Sequence, residues 1–207
     1  MLFLSSFKCK IFIIITITLI LSSCLTIETD LKLNSDGSGI FKILYSLDKT
    51  LNDISNFGNE DDIIPLNLSR GYIEDIIGES TDLVLSKYTS SEDDLFYKVN
   101  VTFEFKTIDD LNKLLPNENS FSLTQDGDES ILSQGISSGD SGDINEESLN
   151  ILRDIYGDHY FRFLVNVPRD IISVSNGTKT EDRVAVYQES FVDIIASSEN
   201  KAWSIRW

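Results

Sequence analysis

The sequence predicts an α+β fold, with a mainly antiparallel sheet and three or four interspersed helices in a single domain. Short segments in which apolar and polar residues alternate recur along the chain, as half-buried strands require. Turn residues or short helical patterns separate these segments. Regular strand–helix–strand alternation does not occur, which argues against a parallel sheet.

The first strands are predicted from a clear hairpin pattern. Residues 27–33 alternate between apolar and polar types, and residues 34–39 are rich in Asn, Ser, Asp and Gly. The alternation then returns from Phe41 to Leu47. Further strands are expected at residues 82–88, 96–105, 121–123, 131–132, 160–167, 171–174, 184–187, 192–196 and 202–207.

Helices are expected between these strands. One pattern runs over residues 48–57 and another over residues 68–77, with Gly78 as its end. Thr107 begins a third with a sequence resembling a capping box. A fourth is expected over residues 145–156, after an acidic, Ser- and Gly-rich loop at about 135–147.

Composition limits the classes of partner. The 207-residue chain carries 17 basic and 34 acidic residues, a formal net charge of −17. This excess argues against nucleic acid and anionic lipid headgroups as partners, because both bind basic surfaces. The only cysteines are Cys9 and Cys24, so the domain is expected to have no disulfide and to depend on a hydrophobic core. We predict no cofactor.

The N-terminus has the pattern of a secretory signal peptide. Lys8 and Lys10 precede an apolar run at residues 11–21, and small residues then lead to Ser23 and Cys24. The run is shorter than the roughly 20 apolar residues that span a bilayer as a helix. Cleavage after Ser23 is therefore predicted, and an uncleaved anchor that begins near Met1 is the alternative.

The cleavage site itself carries a more specific pattern. The sequence Leu21-Ser22-Ser23-Cys24 resembles the lipobox of bacterial lipoproteins. The resemblance implies a signal peptide at residues 1–23, lipidation of Cys24, and a single envelope domain at residues 24–207 attached to a membrane. Two or three acyl chains anchor a protein durably, whereas one gives reversible binding. Leu25 follows in place of the aspartate that retains many lipoproteins in an inner membrane, which favours an outer membrane.

One motif resembles a catalytic site. Residues 135–139 match the Gly-x-Ser-x-Gly nucleophile elbow of α/β-hydrolases, with Ser137 at its centre. Asp154 and His159 follow in the order of a hydrolase triad but lie too close behind the serine. The motif also falls in an acidic loop rather than between a strand and a helix. We interpret it as a chance match and predict no catalytic residue and no enzyme.

Metal binding is not predicted either. One histidine and the lack of a free cysteine in the domain argue against zinc and copper. An acidic segment offers oxygen ligands for calcium, but without the spacing of an EF-hand. We interpret these side chains as solvated; they are Asp126, Asp128, Glu129, Asp140, Asp143, Glu146 and Glu147.

Aromatic residues are the remaining candidates for a ligand site. A stripe of them is interpreted as core in preference to a ligand pocket; its members are Tyr97, Phe103, Phe105, Phe161 and Phe163. At the C-terminus, Trp203 and Trp207 are interpreted as part of an edge strand that packs on the core. The alternative is a pair of aromatics at a membrane interface.

Two segments resemble the LppM-like bacterial lipoproteins. The first is the early hairpin with its turn at residues 36–39, and the second runs from residues 165–168 through 175–177 to 184–186. The strand and Leu-rich helix at residues 103–115 also fit. Tyr187 stands where this family commonly has tryptophan, and no membrane helix follows Trp207. The resemblance implies an α+β domain at a membrane, with lipid or glycolipid binding proposed for some members and no catalytic residues.

Together these patterns predict a non-enzymatic, lipid-anchored envelope protein. We expect its domain to bind a hydrophobic ligand, such as a lipid or glycolipid, or an envelope partner. The alternative is a surface-exposed lipoprotein that mediates interaction with other cells or a host.

Overall fold

The computed structural model describes most of the expected domain. The described residues are 25–49, 68–78, 80–115, 117–137, 146, 149–150, 153–154, 157, 159–197 and 201–207. Within them the chain forms eleven strands and three helices, which confirms the α+β prediction. No helix among these residues is long and apolar enough to cross a membrane.

The strands form two sheets. They are β1 (Leu25–Leu33), β2 (Gly39–Asp48), β3 (Leu83–Glu92), β4 (Phe96–Phe105), β5 (Phe121–Asp126), β6 (Glu129–Ile136), β7 (Tyr160–Asn166), β8 (Ser173–Ser175), β9 (Thr178–Glu181), β10 (Val184–Ser190) and β11 (Lys201–Arg206). The large sheet has the order β3-β4-β2-β1-β7-β10-β9, and the small sheet has the order β5-β6-β11-β8.

The helices are short and connect strands. They are α1 (Arg70–Ile77), α2 (Ile108–Asn112) and α3 (Phe191–Ala196), with a 3₁₀ turn at Asn117–Asn119. The predicted end of α1 is confirmed, because Gly78 adopts φ 53° and its N–H bonds to the carbonyl of Glu74. The predicted cap of α2 is also confirmed, since the Thr107 side chain accepts a hydrogen bond from the N–H of Asp110.

The two sheets pack face to face around the core. Alternate residues of each central strand point between the sheets, where Leu31 and Phe103 are buried. Ring contacts join the layers, with Phe41 of the large sheet edge-on to Phe121 of the small sheet at 6.3 Å. The core therefore lies between the layers.

The sheets are mainly antiparallel, as predicted, and one pairing in the large sheet is an exception. Strands β1 and β7 pair in parallel. Parallel neighbours need a long connection, and here that connection runs through strands β2 to β6. Because no single helix makes the crossover, the sequence carries no local signal of it. The other paired strands are antiparallel.

Two elements near the C-terminus also differ. Residues 192–196 were expected to be a strand because they are rich in β-branched side chains, but they lie in α3. There the chain passes from the large sheet to the small one, and Phe191, Val192 and Ile194 are buried. Strand β9 was not predicted, because its residues are exposed and show no apolar alternation.

Several predictions fall wholly or partly outside the described residues. Ser23, Cys24 and the signal peptide lie outside them, as does most of the acidic loop. Of the helix expected at 48–57, only residues 48 and 49 are described, and Lys49 is helical. The described residues 146, 149–150 and 153–154 are helical, in agreement with the helix expected there.

Candidate ligand-binding cleft

A cleft opens between the two sheets, toward the end of the fold where β1 begins. Its volume is about 610 Å³ when the open mouth is counted. Three neighbouring strands, β2, β1 and β7, form its floor. The floor residues are Ile27, Thr29, Phe41, Ile43, Phe161 and Phe163.

The register of the strands explains why these side chains form one surface. Thr29 lies opposite both Ile43 of β2 and Phe163 of β7, while Ile27 lies opposite Phe161. Residues that face each other across neighbouring strands share one face of a sheet. The period-two pattern of each strand thus turns five apolar side chains and one threonine toward the small sheet.

The opposite wall comes from the small sheet and the segments around it. Gln134 and Ile136 of β6 contribute, together with Ser137 directly after the strand. The other residues of this wall are Leu115, Asn119 and Ile194. Helix α3 thus closes one side of the cleft through Ile194.

The polar groups of this wall are held by other protein groups. The side-chain carbonyl of Gln134 accepts a hydrogen bond from the indole N–H of Trp203 at 3.0 Å. Its amide donates to the carbonyl of Asn119 at 3.2 Å, and the Asn119 side chain accepts from the N–H of Ser137 at 2.8 Å. Because these groups bond to each other, the surface that faces the cleft is dominated by hydrocarbon and rings.

The cleft lining contains no ionisable side chain among the described residues. The carboxyl groups of Asp82 and Asp110, whose pKa values are lowered, lie outside the cleft lining. Hydrogen bonding from Lys106 lowers the pKa of Asp82, and hydrogen bonding from Lys113 lowers the pKa of Asp110. An uncharged apolar lining of this kind suits contact with a hydrophobic molecule.

The predicted aromatic stripe divides into three environments. Phe103 and Phe105 are buried, as the core interpretation expected. Phe161 and Phe163 line the cleft, where Phe161 also stacks on Phe191 of α3 at 5.5 Å. Tyr97 is 36% exposed. Phe161 and Phe163 are partly buried and pack against the core, so they belong both to the core and to the cleft floor.

The C-terminal tryptophans belong to the core. Trp203 and Trp207 are both buried, so the interpretation of packing on the core is confirmed. The expectation of an edge strand is wrong, because β11 lies between β6 and β8. Trp203 also stacks on Tyr187 of β10 at 5.7 Å, and this contact joins the small sheet to the large one.

The residues of the hydrolase-like motif lie in different environments. Ser137 is part of the cleft wall, with its N–H bound to Asn119. His159 is buried just before β7, and its carbonyl accepts the N–H of Phe191. Asp154 is exposed.

The acidic side chains interpreted from the sequence as solvated do not gather into a metal site in the described part of the chain. No group of three or more metal-ligating residues occurs there. Asp126 and Glu129 instead flank Arg206, at 3.5 Å and 2.9 Å. Asp140, Asp143 and Glu147 lie outside the described residues.

Cys24 immediately precedes the first described strand. Strand β1 begins at Leu25, two residues earlier than the sequence pattern suggested. Ile27 of the cleft floor therefore lies two residues after the start of β1. The cleft floor consequently reaches the end of the large sheet where β1 begins.

Comparison with known proteins supports the fold. No family model matches the sequence, and no curated protein matches it. The structure is similar to the folded domain of the LppM protein of Mycobacterium tuberculosis, solved by NMR, with a TM-score of 0.52. The alignment covers 88% of each chain at 13% sequence identity. The resemblance to LppM-like proteins is therefore confirmed at the level of the fold.

Proposed function

We propose that this protein is a non-enzymatic, lipid-anchored protein of the bacterial envelope. Its domain holds a hydrophobic ligand, a lipid or glycolipid, in the cleft between the sheets. The observation that carries the ligand proposal is the continuous apolar floor of β2, β1 and β7, in a cleft without ionisable residues.

A hydrocarbon chain is the ligand chemistry that best fits this lining. Buried apolar contact contributes roughly 25 cal/mol per Å² and needs no polar partner. A charged headgroup, in contrast, would be costly to bury there, because no opposite charge lies in the described wall. The ligand is therefore expected to place its chain in the cleft and its headgroup at the mouth.

Blocking the cleft tests the ligand proposal. Ser137→Trp adds an indole at the cleft wall directly after β6. Ser133→Trp adds the same group within β6, where alternation with the buried Gln134 places it on the outer face. We expect a fluorescent fatty acid to bind the parent protein and Ser133→Trp, and to lose affinity for Ser137→Trp. Thermal unfolding should show that both variants are folded. Equal binding by the two variants, or no binding by the parent, would contradict the proposal.

The anchor proposal rests on the lipobox-like sequence and on the position of β1. Metabolic labelling with an alkyne fatty acid should modify the parent protein. Cys24→Ala should lose the label and accumulate with its signal peptide, whereas Cys9→Ala should keep the label. This control is well matched because these are the only cysteines of the chain. Retention of the label in Cys24→Ala would refute the anchor.

The membrane that carries the protein is proposed from Leu25. An outer membrane is favoured in a cell that has one, because the aspartate associated with inner-membrane retention is absent. Membrane fractionation should therefore recover the protein with outer-membrane markers. Digestion by protease added to intact cells would instead support display on the cell surface and interaction with other cells or a host.

A further inference from the structure

The end of the large sheet where β1 begins carries three exposed apolar or aromatic side chains, Leu95, Tyr97 and Tyr160. Tyr97 and Tyr160 lie on opposite faces of the sheet, so the three side chains are spread along this end. We infer that these side chains, here called the anchor-end rim, rest in the headgroup region of the membrane that holds Cys24. The inference rests on the proposed lipid anchor and deepens it, because it gives the domain an orientation.

Strand register brings the rim beside the start of β1. Leu25 pairs with Leu47 of β2, and Leu47 pairs with Tyr97 of β4. On the other side of β1, Thr26 pairs with Tyr160 of β7. Neighbouring strands lie about 5 Å apart, so Tyr97 and Tyr160 both lie within roughly 10 Å of the first residues of β1. Leu95 occupies the turn just before β4.

These three side chains are exposed although they are large and apolar or aromatic. Leu95 is 59% exposed, Tyr160 39% and Tyr97 36%. They make up three of the seven large apolar or aromatic side chains found exposed in the described residues. Tyrosine is favoured at membrane interfaces, since its ring contacts acyl chains while its hydroxyl stays hydrated. Three such side chains along one end of the sheet therefore suit contact with a bilayer surface.

The turn that carries Leu95 is ordered by hydrogen bonds. The Asp93 carboxylate accepts the N–H groups of Leu95 and Phe96 at 2.9 Å and 2.7 Å. The carbonyl of Leu95 accepts the N–H of Lys49 at 2.9 Å. The backbone is thus bonded on both sides of the turn, and it holds the leucine side chain toward solvent.

Charges near the turn are largely paired. Lys98 contacts Asp93 at 3.2 Å, and Lys49 contacts Glu92 at 2.6 Å. Because the turn also holds the exposed Asp94, it carries no net positive charge to attract anionic headgroups, and the chain as a whole is acidic. Contact with the bilayer is therefore apolar, and zwitterionic lipid is sufficient for it.

Tryptophan probes in the full lipidated chain test the rim. Leu95→Trp and Tyr160→Trp place an indole at the rim. Val84→Trp is the control, because Val84 is 45% exposed near the opposite end of the sheet. Val84 lies opposite Glu104, and Glu104 is about 30 Å from Leu95 along β4. The native Trp203 and Trp207 are buried and contribute a constant background.

The readout is quenching by phosphatidylcholine with brominated acyl chains in vesicles to which the chain is attached. We expect loss of the added fluorescence in both rim variants and no loss in Val84→Trp. Flotation of the chain with vesicles and equal quenching in all three variants would overturn the rim and leave the anchor intact. Failure of the parent chain to float with vesicles would overturn the anchor and the rim with it.

Discussion

The buried pair of Gln134 and Trp203 gives the sharpest test of how the cleft wall is held. Both side chains are 2% exposed, and they lie on neighbouring strands of the small sheet. Gln134→Leu keeps the approximate size of the side chain but removes its hydrogen bonds to Trp203 and Asn119. The indole N–H then stays buried without its acceptor, which costs roughly 1–3 kcal/mol.

A loss of this size should be visible in thermal unfolding. For a domain of 150–250 residues, each kcal/mol shifts Tm by roughly 2–4 °C. Gln134→Leu should therefore lower Tm by about 2–12 °C when unfolding is followed by near-ultraviolet circular dichroism in mild detergent. Binding of an apolar probe should persist in the folded variant, because the cleft becomes more apolar.

A double-mutant cycle separates the hydrogen bond from simple loss of packing. Trp203→Phe removes the indole N–H. When Gln134→Leu is then added, no buried donor is left without its acceptor. The double variant should thus be more stable than the sum of the single losses predicts, by at least about 1 kcal/mol. Additivity within about 0.5 kcal/mol would refute the reasoning, since independent sites behave in that way.

Three further predictions concern the framework around the cleft. Thr107→Ala should lower the unfolding free energy by about 1 kcal/mol in chemical denaturation, because it removes the cap of α2. The pKa of Asp110 is lowered, chiefly by its hydrogen bond from Lys113. The stabilisation that this carboxylate contributes should therefore be present above its unfolded pKa of about 4, and it should be lost as the pH falls through the folded pKa. Stability measured against pH should therefore fall less steeply at acid pH in Asp110→Asn than in the parent. Gly39→Ala should be strongly destabilising because a Cβ there would lie 2.3 Å from a backbone oxygen, whereas Gly71→Ala meets nothing within 4 Å and should leave Tm unchanged or raise it.

Much of the framework could be predicted from local sequence patterns. The hairpin of β1 and β2, the bounds of β4, and the cap of α2 all follow from alternation or from side-chain capping, which depend on neighbouring residues. The parallel pairing of β1 with β7 depends on residues more than 130 positions apart, so no local pattern encodes it.

The cleft shows a different limit of sequence reasoning. Phe103 and Phe163 belong to equally apolar strands, and alternation alone gives both the same inward direction. Phe103 is buried in the core, while Phe163 faces the space below α3 and the end of β6. The difference arises from how the small sheet and α3 cover the large one. The sequence pattern predicts a strand at residues 192–196, and it therefore does not indicate that this side of the large sheet borders a cleft.

The position of β1 relates the proposed anchor to the cleft. Strand β1 is hydrogen-bonded to β2 on one side and to β7 on the other, in the middle of the large sheet. A force applied at the start of β1 would therefore be shared by three strands, which also form the cleft floor. Because Ile27 lies two residues after the start of this strand, a domain held at the membrane by its N-terminus would keep the cleft floor near the bilayer. The proposed ligand and the proposed anchor thus place the same end of the large sheet at the membrane.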